Sequence, residues 1–257
     1  MPIRQPLRVL FFDVFGTVVS WRPSVANALS EATRHALRAT AAEARQVASA
    51  MTAADWQCFA EQWRRMYSRF TRSFDPARDT FISVDQHHYE SLRRLLVEWK
   101  LAPLFSEEGM QELALCWHRL EPWADSVAGL HALNRRFATS TLSNGNLSLL
   151  RDLQQFGGLP FTYLASAEQF GAYKPAPQVY LGATRALGTP PAQCALVAAH
   201  LHDLQAARAQ GLQTIFVERA GEERPLRGAE RATAQASVDL WIDEGQGGFL
   251  EVAKRLL

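Results

Sequence analysis

The 257-residue chain is poor in cysteine: it has three, Cys58, Cys116 and Cys194, far apart and odd in number. No CxxC pair and no Cys/His ligand spacing occurs, which argues against a zinc site and a disulfide framework. Buried thiols in a reducing compartment are the expectation for all three. No sign of charge dominates either, since Lys+Arg 27 stand against Asp+Glu 26 for a net +1. That balance offers no basic stripe to nucleic acid and no polybasic patch to a membrane. Nor does any apolar run approach the ~20 residues that a membrane-crossing helix needs. The opening residues are polar, and the short apolar run behind them, Val9 to Phe12, ends at an acid. A signal peptide has a longer apolar stretch, so the expected location is the cytoplasm. Internal repeats and low-complexity linkers are absent too. What remains is an ordinary globular composition, 47% hydrophobic and 21% charged. A chain of this length buries enough surface to need no staple.

The clearest pattern is a set of compact apolar runs. Arg8 to Phe12 ends at Asp13, with Gly16 and Thr17 just after it. Similar runs fall at 137–142, 161–165, 195–199, 214–217 and 240–242. Short continuous apolar runs suit strands buried on both faces, as in a parallel sheet. Helical patterns lie between most of them. Residues 146–156 carry Leu147, Leu150, Leu153 and Phe156 at a spacing of three, while 178–187 and 203–210 stop at Gly188 and Gly211. Glycine just past the last turn is a common helix stop. Strand, helix and strand in repetition predict an α/β fold, a doubly wound parallel-sheet (Rossmann-like) core with right-handed crossovers.

Residues 21–123 differ. They show no strand, and helix-period segments fall at 24–39, 54–70, 84–99 and 107–119, with breakers at Pro76 and Pro103. An all-helical block after the first strand is the pattern of an inserted cap domain, giving a core of 1–20 and 124–257 and a cap of 21–123. Trp56, Trp63, Trp99 and Trp117 are expected in the core of that block or where it meets the sheet domain. His87 and His88, in a polar helical stretch, are expected at its surface, and Phe81 and Val84 on the lining of a substrate pocket. Residues 219–236, rich in Gly, Arg, Glu and Ala, read as a surface excursion.

Ligands of open parallel sheets bind beyond the carboxyl ends of the strands. The first run ends in Asp13 with Thr17 beyond it, and the second in Ser143-Asn144-Gly145. Lys174 follows the third, in front of Pro175, and the fourth ends near His200, His202 and Asp203. One crevice would then gather a carboxylate, hydroxyl and amide donors, a lysine and a second acid.

These four motifs in this order resemble the haloacid dehalogenase superfamily. Asp13 matches its nucleophile, and Ser143, Lys174 and Asp203 its later motifs. The superfamily's phosphatases carry a second Asp two positions after the first, which protonates the leaving oxygen. Here that position is Phe15. A halide leaves as a weak base and needs no proton. Within the superfamily the chain is similar to the L-2-haloacid dehalogenases. It has their Asp, apolar residue, aromatic and Gly-Thr (Asp13-Val14-Phe15-Gly16-Thr17), and their Ser-Asn-Gly. Arg64 stands at the family's cap-helix arginine, and Tyr180 six residues beyond the motif lysine.

The resemblance implies that Asp13 attacks C2 of a short (S)-2-haloacid or haloacetate, fluoroacetate included, and forms an ester. Thr17 would orient Asp13, and Lys174 would keep it ionised. Ser143 would take the substrate carboxylate, Arg64 and Asn144 the departing halide, and Asp203 would place Lys174 or the hydrolytic water. Val14 and Phe15 join Arg64, Ser143 and Asn144 around the substrate, and Tyr180 joins the catalytic set. The resemblance implies no metal or other cofactor, a small-molecule substrate, neither nucleic acid nor membrane as partner, and a homodimer as the usual state among relatives. One departure stands out. Where the family has Ser residues and an Asn, this chain has Ala198, Ala199 and His200. His200 is therefore expected to orient water, act as a general base, or donate to a halide. A phosphatase of the same fold, a hydrolase of another small carbon electrophile, and a non-catalytic binding protein are the competing readings.

Overall fold

Five of the apolar runs become strands: β1 (Val9–Phe12), β2 (Ala138–Thr141), β3 (Cys194–Ala198), β4 (Gln213–Val217) and β5 (Leu240–Ile242). The computed structural model describes residues 3, 6–37 and 42–257. All five strands run parallel in one sheet, in the order β2-β1-β3-β4-β5. Every residue of β1, β3 and β4 is buried, which is why these runs show no alternation of apolar and polar residues. The order reverses direction at β1, so the ends of β1, β2 and β3 face one switch point.

The expected strand at 161–165 does not form; Tyr163 makes only an isolated bridge to Ser140. Backbone bonds from the Tyr163 N–H to the Thr139 carbonyl at 3.0 Å and from the Thr141 N–H to the Tyr163 carbonyl at 3.3 Å join it to β2, and the Thr141 side chain adds to them. Its hydroxyl accepts from the Ala165 N–H at 3.0 Å and donates to the Ala165 carbonyl at 3.0 Å.

The chain divides into two compact units, with the cuts after Ser20 and after Glu121. Pro122 and Trp123 go with the α/β unit because the Trp123 backbone N–H donates to the Val18 carbonyl, and its indole N–H to the Gly16 carbonyl, each at 3.0 Å. The helical unit contains α1 (Trp21–Ala36), α2 (Ala42–Ala50), α3 (Ala53–Ser73), α4 (Val84–Glu98) and α5 (Glu107–Ala114). The expected 24–39 helix starts three residues earlier, with Pro23 in its first turn, and positions 38 and 39 lie outside the described residues. Thr52 and Asp55 form a capping box at α3, and Ser83 and Ser106 cap α4 and α5. The α2 helix was not expected: its Ala-rich sequence has few large apolar residues to mark a period.

Aromatic rings fill the centre of this unit. Trp21 stacks on Trp117 with ring centroids 5.9 Å apart, and Trp63 meets Trp117 edge-on at 5.5 Å. Trp56 is buried and Trp99 half-buried. His88, expected at the surface, is fully buried and stacks on Trp117 at 4.5 Å. It occupies the buried face of α4 with Val84, Ser91 and Leu92, so helical spacing prevails over residue type. Phe81 is half-buried and meets Phe74 edge-on at 5.9 Å. Cys58 is exposed, unlike the other two cysteines, because it sits on the outer face of α3.

In the α/β unit, α6 (Ser126–Leu133), α7 (Leu147–Phe156), α8 (Pro177–Ala186), α9 (Leu201–Ala209), α10 (Gly228–Ala236) and α11 (Phe249–Leu256) accompany the sheet. The 219–236 stretch is more than a surface excursion. It contains α10, and before it the buried Arg219 and the buried side chain of Glu222. Among the described residues no helix is long and apolar enough to cross a membrane.

Candidate active site

Asp13 follows β1 directly, and its backbone N–H still donates to Val197 of β3 at 3.0 Å. The extended ladder therefore delivers its carboxylate to the switch point, 7% exposed. Gly16 turns the chain there with φ +81, so that Thr17 comes back over Asp13. The Thr17 hydroxyl donates to Asp13 Oδ2 at 2.8 Å and accepts from the Ala199 N–H at 2.9 Å. Behind the turn, Arg219 at the end of β4 donates to the Thr17 carbonyl at 3.1 Å and grips Asp125 with both terminal nitrogens, at 2.6 and 2.9 Å.

Lys174 arrives on the loop before α8, and its peptide to Pro175 is cis. Its ammonium lies between two carboxylates, 2.8 Å from Asp13 Oδ1 and 2.5 Å from Asp203 Oδ2. Asp203 sits in the first turn of α9, and its other oxygen accepts from the Tyr180 hydroxyl at 2.5 Å. Each group holds its neighbour in one charge state. Burial pushes the Asp13 carboxyl up, yet Lys174 and His200 together hold it far below the usual carboxylate range. Burial works against the Lys174 charge, but Asp13 and Asp203 outweigh it and raise its pKa. Burial, then the Asp203 charge, pushes the Tyr180 phenol up, so Tyr180 remains a donor.

His200 is the last residue before α9. Its Nδ1 lies 3.0 Å from Asp13 Oδ2, and its Nε2 lies 3.0 Å from a carboxylate oxygen of Glu222. Burial lowers the imidazole, but its bonds to Asp13 and Glu222 overcome this and raise its pKa to about 9. Glu222 is the residue that sequence reasoning missed. It comes from an irregular segment without periodicity, and the only signal was a pair of acids a few residues beyond a strand end. Its neighbour Glu223 accepts from the Leu201 N–H at 2.8 Å, at the start of α9.

Ser143 is fully buried, and its hydroxyl accepts from the Gly145 N–H at 3.1 Å. The Asn144 amide faces the Lys174 backbone, with Oδ1 accepting from the Lys174 N–H at 2.6 Å and Nδ2 donating to the Lys174 carbonyl at 3.4 Å. Val14 and Phe15 are buried in the turn, and the Val14 carbonyl accepts from Val18 and Val19. Arg64 belongs to the other unit, on α3, where its guanidinium lies 4.5 Å from the Tyr67 ring centroid. Asp13, Thr17, Ser143, Asn144, Lys174, Tyr180, His200 and Asp203 thus come together at the carboxyl ends of β1, β2 and β3.

A family model for haloacid dehalogenase-like hydrolases matches residues 7–211. The chain is 33% identical to a defluorinating L-2-haloacid dehalogenase of known structure, covering 100% of this chain and 99% of that one with a TM-score of 0.83. A second L-2-haloacid dehalogenase structure is 34% identical, with coverage of 98% and 100% and a TM-score of 0.81. The (S)-2-haloacid dehalogenase 1 of Pseudomonas sp. (strain CBS-3) is 33% identical over 106 residues, 40% of this chain and 47% of that relative. The chain therefore spans about half the length of that curated relative. The family match over residues 7–211 and 33–34% identity over nearly the whole chain lead to one assignment: the chain belongs to the haloacid dehalogenase-like hydrolases, among the L-2-haloacid dehalogenases.

Proposed function

We propose that the chain hydrolyses short (S)-2-haloacids or haloacetates, releasing halide and a 2-hydroxy acid through an ester on Asp13. One observation carries this: Asp13 is a buried carboxylate kept ionised by Lys174 and His200, with Phe15 where a phosphatase needs its acid. Among the described residues, Oδ2 accepts from both Thr17 and His200, whereas Oδ1 accepts from Lys174 alone. An oxygen has two lone-pair directions. Oδ1 therefore keeps one for attack on C2, which inverts that centre and expels the halide with the bonding pair.

Ser143 supplies a hydroxyl for the substrate carboxylate. Asn144 holds Lys174 in place through its backbone, and Asp203 with Tyr180 holds the Lys174 ammonium against Oδ1. The helical unit matches the family's cap domain, and Arg64 on α3 stands at the position of the family's cap-helix arginine. Fluoroacetate belongs among the candidate substrates because a defluorinating relative is 33% identical over the whole chain. A cytoplasmic location suits the three unpaired cysteines.

The test is halide release from (S)-2-chloropropionate, chloroacetate and fluoroacetate with EDTA present, and Asp13→Asn as control. Release by the wild type and a loss of ~10³-fold or more in the variant is the expected result. No release from any of the three, with turnover of p-nitrophenyl phosphate and Mg²⁺ instead, would overturn the proposal in favour of a phosphatase.

A further inference from the structure

The reaction as drawn leaves Glu222 without a task, although its side chain is only 4% exposed and points at the site. Its carboxylate and that of Asp13 face opposite nitrogens of the His200 ring, each at 3.0 Å. Two ionised carboxylates have no proton to give, so each nitrogen must be the donor and the ring must carry both protons. We propose that Glu222 is a positioning residue that keeps His200 doubly protonated, and that His200 is the oxyanion donor to Asp13 Oδ2 during hydrolysis of the ester. This rests on the Asp13 ester reading above.

The two oxygens of Asp13 then have different fates. Oδ1 forms the bond to C2, and Oδ2 becomes the carbonyl oxygen of the ester. Water bonds to Cγ, and the C=O pair moves onto Oδ2, which faces the Thr17 hydroxyl and the His200 N–H. On collapse the Cγ–Oδ1 bond breaks, and Oδ1 leaves on the 2-hydroxy acid. One water proton ends on Oδ1 and the other passes to solvent, while the water oxygen stays in the regenerated Asp13 carboxylate. A charged donor already aimed at the oxygen that gains charge lowers the barrier to this step. A general base needs a lone pair on nitrogen, and His200 has none to offer. A halide needs a free N–H, and both are engaged.

The surroundings favour this charge state. Asp13, with Lys174 behind it, faces the ring from the end of β1, and Glu222 faces it from the segment after β4. The His202 ring lies 5.7 Å away on α9, Glu223 caps that helix, and Asp203 is turned to Lys174 and Tyr180. The raised pKa of about 9 agrees with two carboxylate neighbours overriding burial. Gly16 makes the space: a Cβ on it would collide with the Glu222 carboxylate. The same glycine that turns the chain under Thr17 thus admits the acid that holds His200.

The experiment is a single turnover of (S)-2-chloropropionate by the wild type and by Glu222→Gln, with halide release and the ester on the protein followed separately. The ester is read by intact mass. If Gln returns His200 to an ordinary imidazole value near 6.5 while Glu222 still holds the wild-type ring charged in the ester, its charged fraction falls by up to roughly 30-fold at pH 8 but less than ~2-fold at pH 6. Ester decay should slow by about those factors, with the halide burst retained. Wild-type ester decay should itself slow as pH rises, with a midpoint below about 9, because the ester no longer carries the Asp13 charge that helps to raise His200. Equal slowing at both pH values would mean a merely structural role and would overturn the inference, as would unchanged decay in the variant or a wild type with no such limb. A wild type that gives no halide burst removes the Asp13 reading and this inference together. A normal wild-type burst with unaltered Glu222→Gln removes the inference alone.

Discussion

Around Asp13 the α/β unit buries polar side chains in an unbroken series of hydrogen bonds, from Tyr180 through Asp203, Lys174, Asp13 and His200 to Glu222. In the helical unit His88 is buried at 0% exposure, and among the described residues neither of its ring nitrogens has a hydrogen-bond partner. The two histidines respond in opposite directions. Two carboxylates raise His200 to about 9 against the pull of burial. Burial first, and then the charges of His87, Arg64 and His118, lower His88 well below the usual imidazole value. Burial alone neutralises an ionisable group; burial inside an alternation of opposite charges fixes it as an ion. The alternation of opposite charges runs through the α/β unit and, among the described residues, is missing around His88.

The sharpest way to break that alternation is Lys174→Met, which removes the cation between Asp13 and Asp203. Halide release should fall ~10²-fold or more, and stability by about 3–5 kcal/mol at neutral pH, because charge is left buried and unpaired. The pH dependence carries the sign. In the wild type the Asp13 pKa is lowered, so its contribution to stability is present above the ordinary carboxylate value of ~3.9 and is lost as pH falls. In the variant, burial is opposed only by His200 and the Thr17 hydroxyl among the groups described, and protonating a carboxylate relieves the strain. The gap between urea midpoints should therefore be widest near pH 7 and narrow towards pH 4. A gap that does not change with pH would show that lost packing, not charge, is the cause.

Much of this network was legible in the sequence, because most of its members sit at strand ends. Asp13, Ser143 and His200 each follow an apolar run within a few residues, and Thr17, Lys174 and Asp203 lie at motif spacing from them. The sheet was legible for the same reason, apart from 161–165, which joins β2 through a few backbone bonds, an isolated bridge and the Thr141 hydroxyl and forms no strand. Glu222 was not legible: it meets His200 by folding of an irregular segment, and neither period nor residue type marks it. The place of Asn144 just past β2 was legible, but not the orientation of its amide, which faces the Lys174 backbone. His88 was misjudged from its polar neighbours Asp85, Gln86 and His87, although its place between Val84 and Leu92 on one helix face already pointed inward.

At the far end of the series, Tyr180→Phe removes a single donor and keeps the ring. Asp203 Oδ1 then loses its 2.5 Å bond while Lys174 still holds Oδ2. A loss of about 1–3 kcal/mol by urea denaturation is expected, because the carboxylate is left short of one partner. Halide release should slow less than ~10-fold, since the Lys174 contact to Asp13 survives. A loss as large as that of Lys174→Met would make Tyr180 part of the chemistry instead of its support.

The smallest effect is expected in the other unit, with the opposite sign. His88→Phe replaces an imidazole that stacks on Trp117 at 4.5 Å with a ring that stacks as well and carries no unpaired nitrogens. A gain of about 1 kcal/mol at neutral pH follows from removing their desolvation cost. Because the folded pKa of His88 is lowered, the unfolded chain takes up its proton first. Wild-type stability from this group is then complete above ~6.5 and is lost as pH falls below it. Phenylalanine has no such loss, so the advantage of His88→Phe should grow between pH 7 and pH 5. An advantage that shrinks over that range would mean that His88 gains a partner when charged, and the contrast between the two histidines would be one of degree.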